Sequence, residues 1–187
     1  MENNVVEQVR MFVEEECKKP TSRYGYEPYI WHFVPMHRYA KKLAENLGAD
    51  IEIVELAAWL HDIGSIMKKR EDHQITGAKI AEDKLKELDY PENKIKKIKL
   101  CILNHRGSVN NKKESVEEKI IADADAMSHF DAIPGLFGAA YVNEKKNRTE
   151  AKESVKQKLI RSWNKLSFEE SKKLVKPKYE AAMLLLN

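Results

Sequence analysis

The sequence predicts an all-α fold, a helical bundle built as one domain. Apolar residues recur every three or four positions through most of the chain, the spacing of helices that bury one face. No segment alternates with a period of two over a useful length. Seven glycines and six prolines in 187 residues leave room for long unbroken helices. A hydrophobic share of 42% supplies a core, and 34% charged residues supply a solvated surface.

Taken in order, the first amphipathic stretch covers about 4–19 and ends at Pro20. The turn-rich loop TSRYGYEP follows. A long helix runs from Tyr29 to Leu47, with Gly48 placed to cap it. Asp50 can cap the next helix, which reaches Ile63 and stops at Gly64. Asp72 is the expected cap of a helix over about 73–88, and another covers about 92–105. The polar loop RGSVNNKKES leads to a helix over about 115–130. Pro134 and Gly135 break the chain before a helix at about 136–147, and helices at about 150–163 and 168–186 close it. The whole reads as a single domain, 1–187, with a core near 28–145, an N-terminal helix and a basic C-terminal helical extension.

Charge excludes little. There are 33 basic and 30 acidic residues, too balanced to argue for nucleic acid. Residues 141–187 carry 12 Lys and Arg against 6 Glu and no Asp. A solvated helical tail is the simpler account, and a surface that attracts a polyanion is the alternative. Cys17 and Cys101 lie far apart with no CxxC pair, which excludes a zinc knuckle and fits buried thiols in a reducing compartment. No run approaches the ~18 apolar residues of a membrane span, and the N-terminus lacks a signal-like apolar stretch. The expectation is a cytoplasmic protein that does not enter a membrane.

Several polar residues fall where the core should be. The segment IEIVELAAWLHDI is apolar from Leu56 to Leu60 and then ends in His61-Asp62. Burying that pair unpaired would cost several kcal/mol. A metal ion would satisfy both, since imidazole and carboxylate are ordinary ligands. A His-Asp hydrogen bond or a helix cap is the bland alternative. On the helix 29–47, His32 shares the face of Met36, Ala40, Leu43 and Leu47, whereas His37 shares that of Lys41 and Glu45 and points to solvent. His105 continues the stripe of Ile95, Ile98 and Ile102. His73 stands at a helix entrance, where anions are favoured. In IIADADAM, Asp123 and Asp125 lie about 200° apart on a helix, and periodicity does not choose between them.

The segments AAWLHDIG (57–64), HFVPMHRYAKKLAENLGAD (32–50), DHQITGAKIAEDKL (72–85), CILNHRGS (101–108) and ADAMSHFD (124–131) together resemble the HD superfamily of metal-dependent phosphohydrolases, in its HDIG form. The resemblance covers about two thirds of the chain. It implies an HD-domain helical bundle with a metal held by His32, His61, Asp62 and Asp125, and so selects Asp125 over Asp123. It implies one or two divalent ions: manganese, iron, cobalt, nickel or zinc, with magnesium also admissible. His73 and His105 would hold the second ion or face the substrate phosphate. Some nucleotidase-type relatives carry an acid or histidine one turn after the HD pair, where this chain has Ser65 and Ile66.

The activity so implied is hydrolysis of a phosphate ester by metal-activated water, on a small nucleotide-like molecule. Lys68, Lys69, Arg70 and Arg106 are the candidate phosphate contacts. Tyr24, Tyr26, Tyr29 and Trp31 offer a stacking wall beside His32, with core packing as the alternative. Two other readings fit the same residues: an HD-type di-iron oxygenase, and a non-catalytic module that binds a nucleotide or nucleic acid. A homo-oligomer is compatible with all of them.

Overall fold

The first helix, α1 (Val5–Lys18), begins where the Asn4 side chain accepts from the Glu7 N–H at 3.4 Å, and it ends before Pro20. The computed structural model describes residues 4–68, 72–106 and 112–187. Among them there are helices and turns but no strand. The long helix expected from Tyr29 is present, with one departure. Pro35 has no N–H to offer the carbonyl four residues back. The turn before it widens into a π-helical turn, Tyr29–Phe33, in which Val34 N–H reaches Tyr29 O. His32 rides on that turn. The chain continues as α2 (Val34–Leu47), and Gly48 caps it in the left-handed region at φ 68°.

Asp50 starts α3 (Ile51–Leu60) by accepting from Ile53 N–H at 3.2 Å. Every residue from Leu56 to Leu60 is buried, and α3 is packed mainly against α1, α2 and two later helices, α6 (Glu92–Asn104) and α7 (Val116–Ser128). The sequence reading carried this helix to Ile63 and stopped it at Gly64. Instead it ends at Leu60. The chain turns at His61-Asp62, with Asp62 at φ −111° and ψ 10°, into the short α4 (Ile63–Met67).

Gly64 is a packing position rather than a stop. A Cβ there would lie 2.2 Å from His73 O and 2.7 Å from Gly77 N, both backbone atoms of α5 (His73–Glu87). Asp72 precedes α5 but is not its side-chain cap. Its backbone is left-handed, at φ 53°, and no side-chain cap bond forms. Its carbonyl accepts from Ile75 and Thr76 N–H instead.

Helix α7 opens on a reciprocal capping box between Ser115 and Glu118. Buried Glu118 also accepts from Asn104 Nδ2 at 2.7 Å, tying the end of α6 to the start of α7. Pro134 does not break the chain; it sits in the first turn of α8 (Ile133–Gly138), where a missing N–H removes nothing. The helix expected over 136–147 is thus α8 plus a π-helical turn, Ala139–Asn143, ahead of left-handed Lys145. Helices α9 (Arg148–Asn164) and α10 (Glu169–Leu186) follow, α9 with its own Asn147–Glu150 capping box.

α10 has no capping side chain of its own. Buried Asp123 of α7 accepts from Ser167 N–H at 2.8 Å and Phe168 N–H at 3.0 Å. One acid of the DAD triplet thereby holds the C-terminal helices to the core. Both cysteines are buried and unpaired, and burial pushes the Cys17 thiol up to about 12. Among the described residues no helix is long and apolar enough to cross a membrane.

Candidate metal centre

Separate pieces of chain deliver the polar residues to one place. The π-helical turn brings His32, and the break after α3 brings His61 and Asp62. The first residue of α5 is His73, the residue capping α6 is His105, and α7 carries Asp125. His32 Nε2 lies 2.9 Å from His61 Nε2, 3.7 Å from Asp62 Oδ2 and 3.8 Å from Asp125 Oδ1. His73 Nε2 is 3.1 Å and His105 Nε2 3.7 Å from Asp62 Oδ1. The two oxygens of Asp62 thus face two groups, His32 with His61 and His73 with His105. Two ligands of one ion at ~2.1 Å each lie no more than ~4.2 Å apart, and every one of these separations is below that limit.

The hydrogen bonds on the far side of each ring fix its tautomer. His61 Nδ1–H donates to Ala58 O at 2.9 Å, and His105 Nδ1–H to Ile102 O at 2.6 Å. The Ser128 hydroxyl donates to Asp125 O at 2.7 Å, so it accepts from His32 Nδ1–H at 2.8 Å. In all three rings Nε2 carries the lone pair and points inward, the arrangement of metal-ligating histidines.

The residues present fit a cation. His32 and His61 turn two lone pairs toward each other at 2.9 Å, which is repulsive unless a positive charge lies against both. Burial pushes the His61 ring down to about 3. Burial opposes ionisation of Asp62, yet its polar surroundings, His61 foremost, hold it well below the usual carboxylate range. Its Oδ1 is sealed from solvent and accepts no well-formed hydrogen bond among the described residues. A divalent ion between His32, His61 and Asp62 Oδ2, and another at Asp62 Oδ1 with His73 and His105, would satisfy these groups.

Asp125, the fourth residue implied by the resemblance, approaches the cluster at His32, with its Oδ1 3.8 Å from His32 Nε2. Its donor atom groups with those of His32 and His129, in a triad that shares His32 with the His32–His61–Asp62 group. Its Oδ2 accepts from Lys165 Nζ at 3.0 Å. Burial opposes its ionisation, but Lys165 first and His129 next hold it well below the usual range.

Sequence reasoning missed His129 and Lys165. The first was findable, because it stands four residues after Asp125 and so on the same helical face. The second comes from α9, forty positions away.

The cluster floors a cleft of about 1790 Å³. Of the expected phosphate contacts, Arg106 lines it, donating to Gln74 Oε1 at 3.3 Å. Lys68 is exposed and is not among the cleft's lining residues, and Lys69 and Arg70 fall outside the described residues. The other lining cations are Arg23 and, on one face of α9, Lys158, Arg161 and Lys165. Tyr24 and Trp31 also line the cleft, whereas Tyr29 is buried and stacks between Tyr26 and Trp59.

His37 stays out of the cluster but does not point to solvent. It is half-buried, stacked on Trp59 with ring centroids 4.6 Å apart, and its Nε2 lies 3.0 Å from Glu55 Oε1. Periodicity along α2 could not show that α3 covers this face. His37→Ala is expected to keep the full metal content and to lose roughly 1 kcal/mol of stability with the stacking contact. Elemental analysis and thermal unfolding measure the two, and loss of metal would overturn the choice of His32.

Comparison with known proteins places this geometry. Ribonuclease Y of Enterococcus faecalis is 32% identical over 97 residues, 52% of this chain and 17% of that protein. The chain therefore spans about a sixth of that relative's length. An HD-superfamily hydrolase from Bacillus thuringiensis superposes with a TM-score of 0.72 at 22% identity, over 97% of this chain and 92% of that one. YpgQ of Bacillus subtilis, solved in complex with ADP, gives 0.72 at 18% identity, over 96% and 92%. The HD domain profile matches residues 29–129, the stretch that runs from the π-helical turn bearing His32 to His129 at the end of α7, and the chain belongs to the HD domain family.

Proposed function

We propose that the chain is a metal-dependent phosphohydrolase that cleaves a phosphate ester of a small, nucleotide-like molecule. The observation that carries this reading is the convergence of the His61 and His105 rings, their tautomers fixed by Ala58 O and Ile102 O, on Asp62, whose buried Oδ1 has no hydrogen-bond partner among the described residues. His32, His61, Asp62 and Asp125 would hold one ion, with His73 and His105 beside Asp62 for a second. Such an ion supplies Lewis acidity and lowers the pKa of water.

The chain's own residues support the rest. Asp62 stands between the two histidine groups, its Oδ2 toward His32 and His61 and its Oδ1 toward His73 and His105. Arg106 on one side and Lys158, Arg161 and Lys165 on the other line the cleft where phosphate oxygens would gather negative charge. Tyr24 and Trp31 give a face on which a base can stack. The cleft exceeds the ~300–1,000 Å³ usual for small-ligand sites, so a nucleotide fits with room to spare. The ADP bound to YpgQ is in keeping with a nucleotide-sized ligand on this fold.

The test is hydrolysis of a panel of nucleotides and nitrophenyl phosphates by chelator-treated protein reloaded with manganese, cobalt, nickel, iron or zinc. Phosphate release that depends on added metal is expected. Metal binding without hydrolysis of any member would overturn the reading in favour of a binding module. Arg161 makes no ion pair among the described residues and is exposed at the cleft. Arg161→Ala is expected to raise KM roughly tenfold while leaving kcat within about twofold, the signature of lost ground-state binding. An unchanged KM would remove α9 from phosphate recognition.

A further inference from the structure

His129 has no part in the ligand set described above, yet its environment is built. It caps the end of α7, is 7% exposed, and lines the cleft. The Ser162 hydroxyl donates to Lys158 O at 2.9 Å and so accepts from His129 Nδ1–H at 2.9 Å. The proton of the neutral ring is therefore on Nδ1, and the lone pair on Nε2 faces Asp125 Oδ1 at 3.7 Å. His32 Nε2 faces the same oxygen at 3.8 Å. The His32 and His129 rings are nearly parallel, at 13°, with centroids 5.9 Å apart. Lys165 occupies the other oxygen, Oδ2, and leaves Oδ1 turned toward the imidazoles.

Two lone-pair nitrogens beside one carboxylate oxygen, with no proton fixed among them, form a set of donors lacking a cation. We propose that His129 is a metal ligand, and that His32, Asp125 and His129 form a further position in the centre for a divalent transition ion. The three donor atoms lie within 4.8 Å of one another. Two imidazoles and one carboxylate suit zinc, cobalt, nickel or iron better than magnesium.

His32 has a single inward lone pair. The new position and the one proposed at His32, His61, Asp62 and Asp125 therefore exclude each other, and the ion bound through His32 has two alternative seats. The triad Asp62–His73–His105 is independent of that choice. The inference rests on the metal-centre reading and extends it to a residue outside the implied ligands.

Cobalt is the probe, because its visible spectrum reports the ligands directly. The full chain is stripped with chelator and titrated with cobalt(II) chloride, by calorimetry and by absorption. His129→Ala is expected to weaken cobalt binding at one site by more than about 100-fold, beyond the ~10–100-fold that loss of a merely orienting partner costs, and to alter the visible bands. Ser162→Ala keeps the imidazole but frees its tautomer, and a loss within that smaller range is expected.

A purely structural His129 would lower the melting temperature of the metal-free protein while isotherm and spectrum stayed those of wild type. That result overturns the proposal. Should His129→Ala fail to fold, His129→Gln takes its place: wild-type spectrum and affinity overturn the proposal, and their loss supports it. Wild type that binds no cobalt sinks the metal-centre reading and this proposal together. Wild type and His129→Ala that bind alike sink this proposal only.

Discussion

Replacing Asp62 with alanine is expected to end turnover, with a fall of at least about 1,000-fold, equivalent to ~4 kcal/mol of transition-state stabilisation. Freshly purified variant should also carry no more than half the metal of wild type. The size of the effect follows from position. Among the described residues, Asp62 is the one shared by the His32–His61 group and the His73–His105 group, so its loss strips a carboxylate from both. The neutral imidazoles left behind cannot replace that charge. Any ion still retained would sit at the position that includes His129, and Asp62→Ala combined with His129→Ala should empty it. Elemental analysis of the purified proteins measures retention directly. An Asp62→Ala protein with full activity would show that the cluster is not the reactive centre.

The second large effect is expected at a glycine. Gly64→Ala would place a methyl group 2.2 Å from His73 O and 2.7 Å from Gly77 N. Both obstacles are backbone, so no side chain can swing aside and α4 must part from α5. Overpacking of this kind costs about 3 kcal/mol or more. For a chain of this length that lowers Tm by roughly 6–12 °C. The same displacement draws His73 away from Asp62, from which it now lies 3.1 Å, and should weaken the metal position built on that pair. A variant that melts within a degree or two of wild type, with unchanged metal content, would refute the close approach of the two helices.

The two substitutions also mark what was legible in the sequence. The helices and the caps at Gly48 and Asp50 could be read because they depend on neighbours three or four residues away. The inward direction of His32 and His105 followed from the stripes they share with apolar residues. Asp125 was different. Periodicity left it level with Asp123, and only the family resemblance chose it. The reason Asp123 is buried lies at Ser167 and Phe168, contacts that no local pattern encodes. Gly64 was misread for a related cause: cap logic sees a glycine after a helix, whereas the fold uses its missing side chain to seat α5. His37 looked solvent-facing from α2 alone, because Trp59 arrives from another helix. The cations of α9 were visible as a surplus of charge, but their place over the cleft depends on how α8 and the turn after it redirect the chain.

The inward rings of His61 and His105 are each held by a carbonyl three residues earlier in their own helix, at Ala58 and Ile102. The helix end that delivers the side chain also sets its direction, so the donor atoms stand in place before any ion arrives. Little conformational entropy remains to be lost on loading. A polypeptide so arranged, unlike one that folds around its ion, would keep its shape if an ion left. Occupancy of such a centre would then follow metal supply reversibly, on the timescale of ion exchange rather than of refolding.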